Sequence, residues 1–205
     1  LLGIVQSLGW PLWPLIIASV LAFALIFERT IALRHDRILP PGLCDEVLGL
    51  VARRQMPPDM LDKLQANSPL GNLLASGLRR HGSSRDHMEK SMEAAGNLIS
   101  HHLSRYVSLL GGIGSVAPLL GLLGTVVGMI DIFSSQQGGA NPQQLAQGIS
   151  VALYSTAFGI LVAVPSVLAY RLIKVRIDGL LLDLEHEGQR LLDAMYPPAR
   201  PGGQA

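Results

Sequence analysis

Between Tyr106 and Tyr170 the chain carries one charged side chain, Asp131, and no Lys, Arg, His or Glu. Apolar segments flank it, at about 107–130 and 149–169. As helices, each is long enough to cross a hydrocarbon core of about 30 Å. The polar groups left inside are mostly small: Ser108, Ser115, Thr125, Ser155, Thr156 and Ser166. Hydrocarbon offers such groups no partner, so they must face protein or water. A hairpin that excludes charge and keeps hydroxyls is a membrane hairpin, and its hydroxyls are the first candidates for function.

A third apolar run, from Pro11 to Phe27, ends at Glu28-Arg29. It has no basic stretch before it, and Ile31-Ala32-Leu33 continues the apolar pattern where a cleavage site would need small residues. It is therefore read as a span and not a signal peptide. With 49% apolar and 15% charged residues, the composition leans the same way. The expected fold is an all-α integral membrane protein with three transmembrane helices, the second and third extended into the cytoplasm as long helices.

Orientation follows from the basic residues. All 16 Lys and Arg fall in Arg29–Arg105 or Arg171–Arg200. The positive-inside rule then puts the N-terminus and the second connection outside, and the middle region and C-terminus in the cytoplasm. The expected organisation is an outer interfacial segment at 1–10 and a first span at 11–33, then a cytoplasmic helical region at 34–105. The second span follows at 106–131, a periplasmic loop at 132–147 and the third span at 148–170. A helical extension at 171–196 and a disordered tail at 197–205 complete it. Trp10 and Trp13 suit the outer headgroup depth.

In the cytoplasmic region, Pro40-Pro41-Gly42, Pro57-Pro58, Ser68-Pro69 and His81-Gly82-Ser83 punctuate short amphipathic helices such as 44–54 and 69–80. Ser83 with Asp86 reads as a helix start. Met88, Met92, Ala95, Ile99, Leu103 and Tyr106 then form one face that runs directly into the second span. Beyond the third span, Ile177, Leu180, Leu181, Leu184, Leu191, Leu192 and Met195 continue a helical stripe. Such stripes, with no separate domain to cover them, imply packing against copies of the same chain.

Thr125 lies six residues before Asp131, about 9 Å below it at 1.5 Å per residue. Thr156 lies eight residues after Gly148, about 12 Å deep. Antiparallel pairing brings the two hydroxyls to a similar level, which makes them the leading ion-pathway candidates. The competing explanation is that each bonds the carbonyl one turn back and merely packs. Gly121, Gly124 and Gly128 on the second span and Gly159 on the third read as helix-packing positions, because small residues let helix backbones approach. Pro118 and Pro165 are read as kinks. Asp131 is a candidate outer entrance for an ion, against the plainer reading of a solvated interfacial residue.

Other chemistry is excluded. His81, His87 and the adjacent His101-His102 lack ligand spacing, so no metal and no cofactor are expected. Gly121-Leu-Leu-Gly-Thr125 has no Lys before the Thr and is no phosphate loop. Cys44, the single cysteine, has no intrachain partner and reads as an inert thiol. No nucleophile constellation points to an enzyme, and no basic patch interleaved with aromatics points to nucleic acid. Three spans without an internal repeat give too little material for an alternating-access transporter.

Ala117-Pro118-Leu-Leu-Gly121-Leu-Leu-Gly124-Thr125-Val126-Val-Gly128 and the stretch from Gly148-Ile149-Ser150 through Thr156 and Gly159 to Pro165 resemble the paired motifs of the MotA/TolQ/ExbB family, closest to its ExbB/TolQ branch. Glu28-Arg29 and Ser68-Pro69-Leu70 are weaker echoes, and the resemblance covers nearly the whole chain. It implies a homopentamer whose second and third spans line a pore. That pore holds the single-span helices of ExbD- or TolR-like partners, and the threonines at 125 and 156 face an ionisable Asp on the partner. It implies residence in the bacterial inner membrane, with a periplasmic N-terminus, and use of the proton motive force to energise a TonB-like effector. Where ExbB and TolQ members place a Glu five residues before the third-span Thr, this chain has Val151, a feature shared with MotA-like members. Effectors other than TonB, sodium in place of protons, and a scaffold that conducts nothing therefore stay open.

Overall fold

A computed structural model describes residues 12–53, 57, 59–80, 82–135 and 142–197, without the side chains of 135, 142, 144, 145, 147 and 151. The expected outer interfacial segment and the tail beyond 197 lie outside the described residues. Those residues form helices α1 (Leu12–Ala32), α2 (His35–Ile38), α3 (Leu43–Ala52), α4 (Met60–Asn67), α5 (Pro69–Leu78), α6 (Arg85–Ser104), α7 (Val107–Ser135) and α8 (Pro142–Met195). Among them there is no strand. Three stretches are long and apolar enough to cross a membrane: Leu12–Ala32, one within Arg85–Ser134 and one within Gly148–Met195.

The chain divides into two compact units, the first comprising Leu1–Thr30 and Tyr106–Ile173. Its interior is small. Leu15 of α1, Ala117 of α7 and Val162 and Ala163 of α8 form the buried cluster, with Ile113, Leu120 and Phe158 packed against it. Most other large apolar side chains point outward, among them Phe23, Phe27, Leu119, Phe133, Leu161 and Leu172, each more than 60% exposed. A face this apolar requires lipid or protein around it. At the end of α1, Arg29 pairs with Glu28 at 2.7 Å and lies over the Tyr106 ring at 5.3 Å. This cation–π contact lets an Arg that is only 9% exposed keep favourable electrostatics.

Tyr106 also sits where a sequence-based expectation fails. The apolar face of α6 was expected to continue unbroken into the second span, yet α6 ends at Ser104 and α7 begins at Val107. Arg105 is extended (φ −56, ψ 139), and Tyr106 has φ 67, a left-handed value uncommon for a residue with a Cβ. The third span meets no such break. α8 runs 54 residues, about 81 Å, so it outruns any bilayer core. Both Pro118 and Pro165 lie inside continuous helices.

The second unit comprises Ile31–Arg105 and Lys174–Ala205. Met88, Met92, Ala95 and Ile99 are buried along α6, as are Ile177, Leu180, Leu184, Leu191 and Leu192 along α8, at the spacings the sequence shows. The α8 stripe is covered differently from expectation: the chain's own short helices do it. A Cβ added at Gly188 would lie 3.0 Å from Met92 Cε and 3.3 Å from Leu73 Cδ2, so α5 and α6 pack directly on α8. Packing against copies is therefore not required by that face.

Polar groups pin this arrangement. Ser68 caps α5 by accepting from the Gly71 amide at 3.0 Å, with Pro69 at the first helical position. Such a cap contributes about 1 kcal/mol. Ser91 donates to the Ser76 carbonyl at 3.0 Å, and Arg176 to the Leu33 carbonyl at 3.0 Å. Near its end α8 is tied by Arg190 to Asp45, by Asp193 to Arg85, and by the Tyr196 hydroxyl to the Ser83 carbonyl. At the start of α6 the N-cap position falls at Ser84 and not at Ser83, and the Ser84 side chain makes no capping hydrogen bond. Asp86 does not reach back to the helix start; it pairs one turn ahead with Lys90 at 2.8 Å.

Cys44 is buried, its thiol facing the Glu187 carbonyl at 3.7 Å. Burial first, and Glu187 second, push the thiol up to about 12, from 9.0. A thiolate is the reactive form. Iodoacetamide at pH 8 should therefore leave Cys44 unmodified in the native protein and label it rapidly after denaturation, read by intact mass. Because the folded value lies above the unfolded one, the associated stability is complete below pH about 9 and lost as pH rises toward 12.

Candidate ion-pathway site

α7 and α8 approach until their backbones touch. A Cβ built on Gly121 would sit 2.8 Å from the Ser155 carbonyl oxygen and 3.2 Å from Gly159 Cα. One built on Gly159 would sit 2.6 Å from the Ala117 carbonyl oxygen and 3.1 Å from Gly121 Cα. Gly128 faces Ala152, whose Cβ would be 3.2 Å from an added one, and Gly124 is buried in the same helix. Glycine is needed at 121 and 159 because backbone occupies the space a side chain would take.

That approach brings Thr125 and Thr156 together, their hydroxyl oxygens 2.5 Å apart. Thr125 Oγ1 also lies 3.0 Å from the Ala152 carbonyl and 3.3 Å from that of Gly121. Thr156 Oγ1 lies 3.3 Å from the Gly121 carbonyl. Two hydroxyls bring two protons to this cluster. The arrangement with the shortest bonds has Thr156 donating to Thr125 and Thr125 donating to the Ala152 carbonyl. Both protons are then used inside the hairpin, and lone pairs are what remains. Toward anything outside, the pair acts as an acceptor of hydrogen bonds.

Asp131 is not brought into this cluster. It is exposed, within the last turns of α7, which continues past the expected end of the span to Ser135. Its backbone carbonyl accepts from Ser134 Oγ at 3.0 Å. An anion near a helix C-terminus gains nothing from the helix dipole. Among the described residues no group of three or more His, Cys, Asp and Glu is arranged to hold a metal. The side chain of Val151 lies outside the described set.

In the sequence Ser155 stands out only as one of several small hydroxyls inside the spans. Its side chain is fully buried and its hydroxyl makes no hydrogen bond. Composition gives no signal of this, since Ser166 on the same helix is equally buried and bonds the Val162 carbonyl at 2.7 Å.

Membrane-length helices joined through glycine, with paired hydroxyls and no acid or base beside them, define an integral membrane protein. Comparison with known proteins narrows this. The model of the MotA/TolQ/ExbB proton channel family matches residues 65–186. Biopolymer transport protein exbB1 of Vibrio cholerae is 33% identical over 203 residues, covering 88% of this chain and 82% of the relative. A putative biopolymer transport protein, ExbB-like 3, of Synechocystis is 35% identical over 161 residues, 76% of each chain. The Tol-Pal system protein TolQ of Haemophilus influenzae is 35% identical over 96 residues, covering 46% and 42%. The chain belongs to the MotA/TolQ/ExbB proton channel family.

Proposed function

We propose that this chain is an ExbB-like, ring-forming subunit of an ion-driven motor in the bacterial inner membrane. It works as a homopentamer around an ExbD- or TolR-like single-span partner and uses the proton motive force to energise a TonB-like effector. The extension of α8 and the unit containing α2 to α6 lie in the cytoplasm, and the N-terminus in the periplasm. The observation that carries the reading is the Thr125–Thr156 pair in a hairpin whose single carboxyl group, Asp131, lies away from the pair. A lining of this kind needs a titratable group from elsewhere, and a carboxyl group on a partner helix supplies it. The acceptor character of the pair suits the protonated acid, which donates to Thr156, while a carboxylate finds no donor there. Supporting the ring are exposed apolar residues on α8 beyond the first unit, Val175 at 71% and Leu182 at 67%. Asp131 serves at the outer entrance.

The likeness to a TolQ protein keeps a second reading, a TolQ- or MotA-like stator driving a different effector. The experiment that tests conduction itself is co-reconstitution of the chain with an acidic single-span partner in vesicles carrying a pH gradient. A dissipation rate well above that of either protein alone is expected. A rate equal to that of empty vesicles would leave a scaffold that organises its partner and conducts nothing.

A further inference from the structure

Four hydroxyls in the long helices of this chain share one habit. Thr30 bonds the Ile26 carbonyl at 2.7 Å, Ser115 that of Gly111 at 3.0 Å, Ser150 that of Ala146 at 2.9 Å and Ser166 that of Val162 at 2.7 Å. Each acceptor lies four residues back. Ser155 breaks the habit: at 1% exposure its hydroxyl takes neither that carbonyl nor any other partner. A buried hydroxyl left unpaired bears its whole desolvation cost, so native interiors answer such groups with a partner or an ordered water.

The surroundings specify the partner. Ser155 lies on the buried face of α8 between Ala152 and Gly159, residues that carry a methyl group or nothing. On its carbonyl side the Gly121 backbone is in close contact, so any partner held on this face must be small. No charged group is part of this face, and a bare cation would go unneutralised. A water meets both conditions: it accepts from Ser155, and it donates to helix carbonyls, which keep a second lone pair. We infer that Ser155 anchors a buried water beside the threonine pair, extending it into a string of hydroxyl oxygens along the α7–α8 contact. Ser155 contributes what the pair lacks, because Thr125 and Thr156 have used their protons internally and Ser155 has not. As part of the ion route, this water rests on the pore reading given above; as a hydration site it does not.

Ser166 is the internal control, being on the same helix, equally buried and already bonded. In lipid-reconstituted, serine-labelled protein, water-edited solid-state NMR should transfer polarisation from water to Ser155 and not to Ser166. Transfer to Ser155 no stronger than to Ser166 means a dry hydroxyl and overturns the site. Ser155→Ala should lower partner-dependent proton flux by about tenfold, the scale of one lost hydrogen bond, while Ser166→Ala leaves it unchanged. A hydrated Ser155 with full flux in Ser155→Ala overturns its place in the route. Failure of the pore reading is separately visible as full flux when Thr125 and Thr156 are both replaced by Val.

Discussion

Replacing Thr125 and Thr156 together with Val should leave the protein folded and stop its ion-driven work. Valine has nearly the shape of threonine, so the glycine-mediated approach of α7 and α8 is not disturbed. The two hydroxyls also bond each other at 2.5 Å, and removing both partners of a hydrogen bond costs far less than orphaning one. Melting should shift by no more than about 4 °C, the equivalent of about 1 kcal/mol in a chain of this size. Proton flux with the partner should fall at least tenfold, the hydrogen bond that the pair accepts being worth roughly 1.4 kcal/mol. Both measurements belong on one vesicle preparation, and unchanged flux in the folded double variant would remove the pair from the route.

The single variants sharpen this, because neither orphans the surviving hydroxyl. With Thr125→Val, Thr156 still has the Gly121 carbonyl at 3.3 Å; with Thr156→Val, Thr125 still has that of Ala152 at 3.0 Å. In each the remaining proton stays satisfied within the hairpin. A coupling energy from the double-mutant cycle of flux therefore reports the pair acting as one acceptor, and not a packing defect.

Periodicity made much of the fold legible. The charge desert from 106 to 170 fixes where lipid can be, and the three- and four-residue spacing along α6 and α8 locates their buried faces. Depth counted along two antiparallel helices was enough to bring Thr125 and Thr156 level. Other features depend on geometry that spacing does not encode. The break at Arg105–Tyr106 uses a tyrosine at φ 67, where a glycine or asparagine would have announced a turn. The stripe on α8 looked bare in the sequence because its cover comes from α5 and α6, roughly a hundred residues earlier. Ser155 and Ser166 share residue type, helix and burial, and differ only in which way a hydroxyl finds a carbonyl. Rotamer and packing decide that, after the helices have met.

Gly159→Ala should be strongly destabilising, although alanine is the better helix former. Its methyl carbon would meet the Ala117 carbonyl oxygen at 2.6 Å and Gly121 Cα at 3.1 Å. Both are backbone atoms, so no side chain can turn aside and the helices must separate. Overpacking of this kind costs about 1–3 kcal/mol, and a melting temperature lower by roughly 2–12 °C follows for a domain of this length. Gly112→Ala is the contrasting case. Nothing lies within 4 Å of its added Cβ, so helix propensity acts alone and stability should be unchanged or rise by up to about 1 kcal/mol. Opposite signs from the same substitution in two membrane helices would isolate the α7–α8 contact as the cause. Separation of those helices also reaches the site. The Gly121 carbonyl lies 3.3 Å from both threonine hydroxyls, within the contact that Gly159 closes. Gly159→Ala should therefore lose flux along with stability, whereas Gly112→Ala keeps both. Full flux in a destabilised Gly159→Ala would mean that the threonine pair does not depend on the close approach that brings it together.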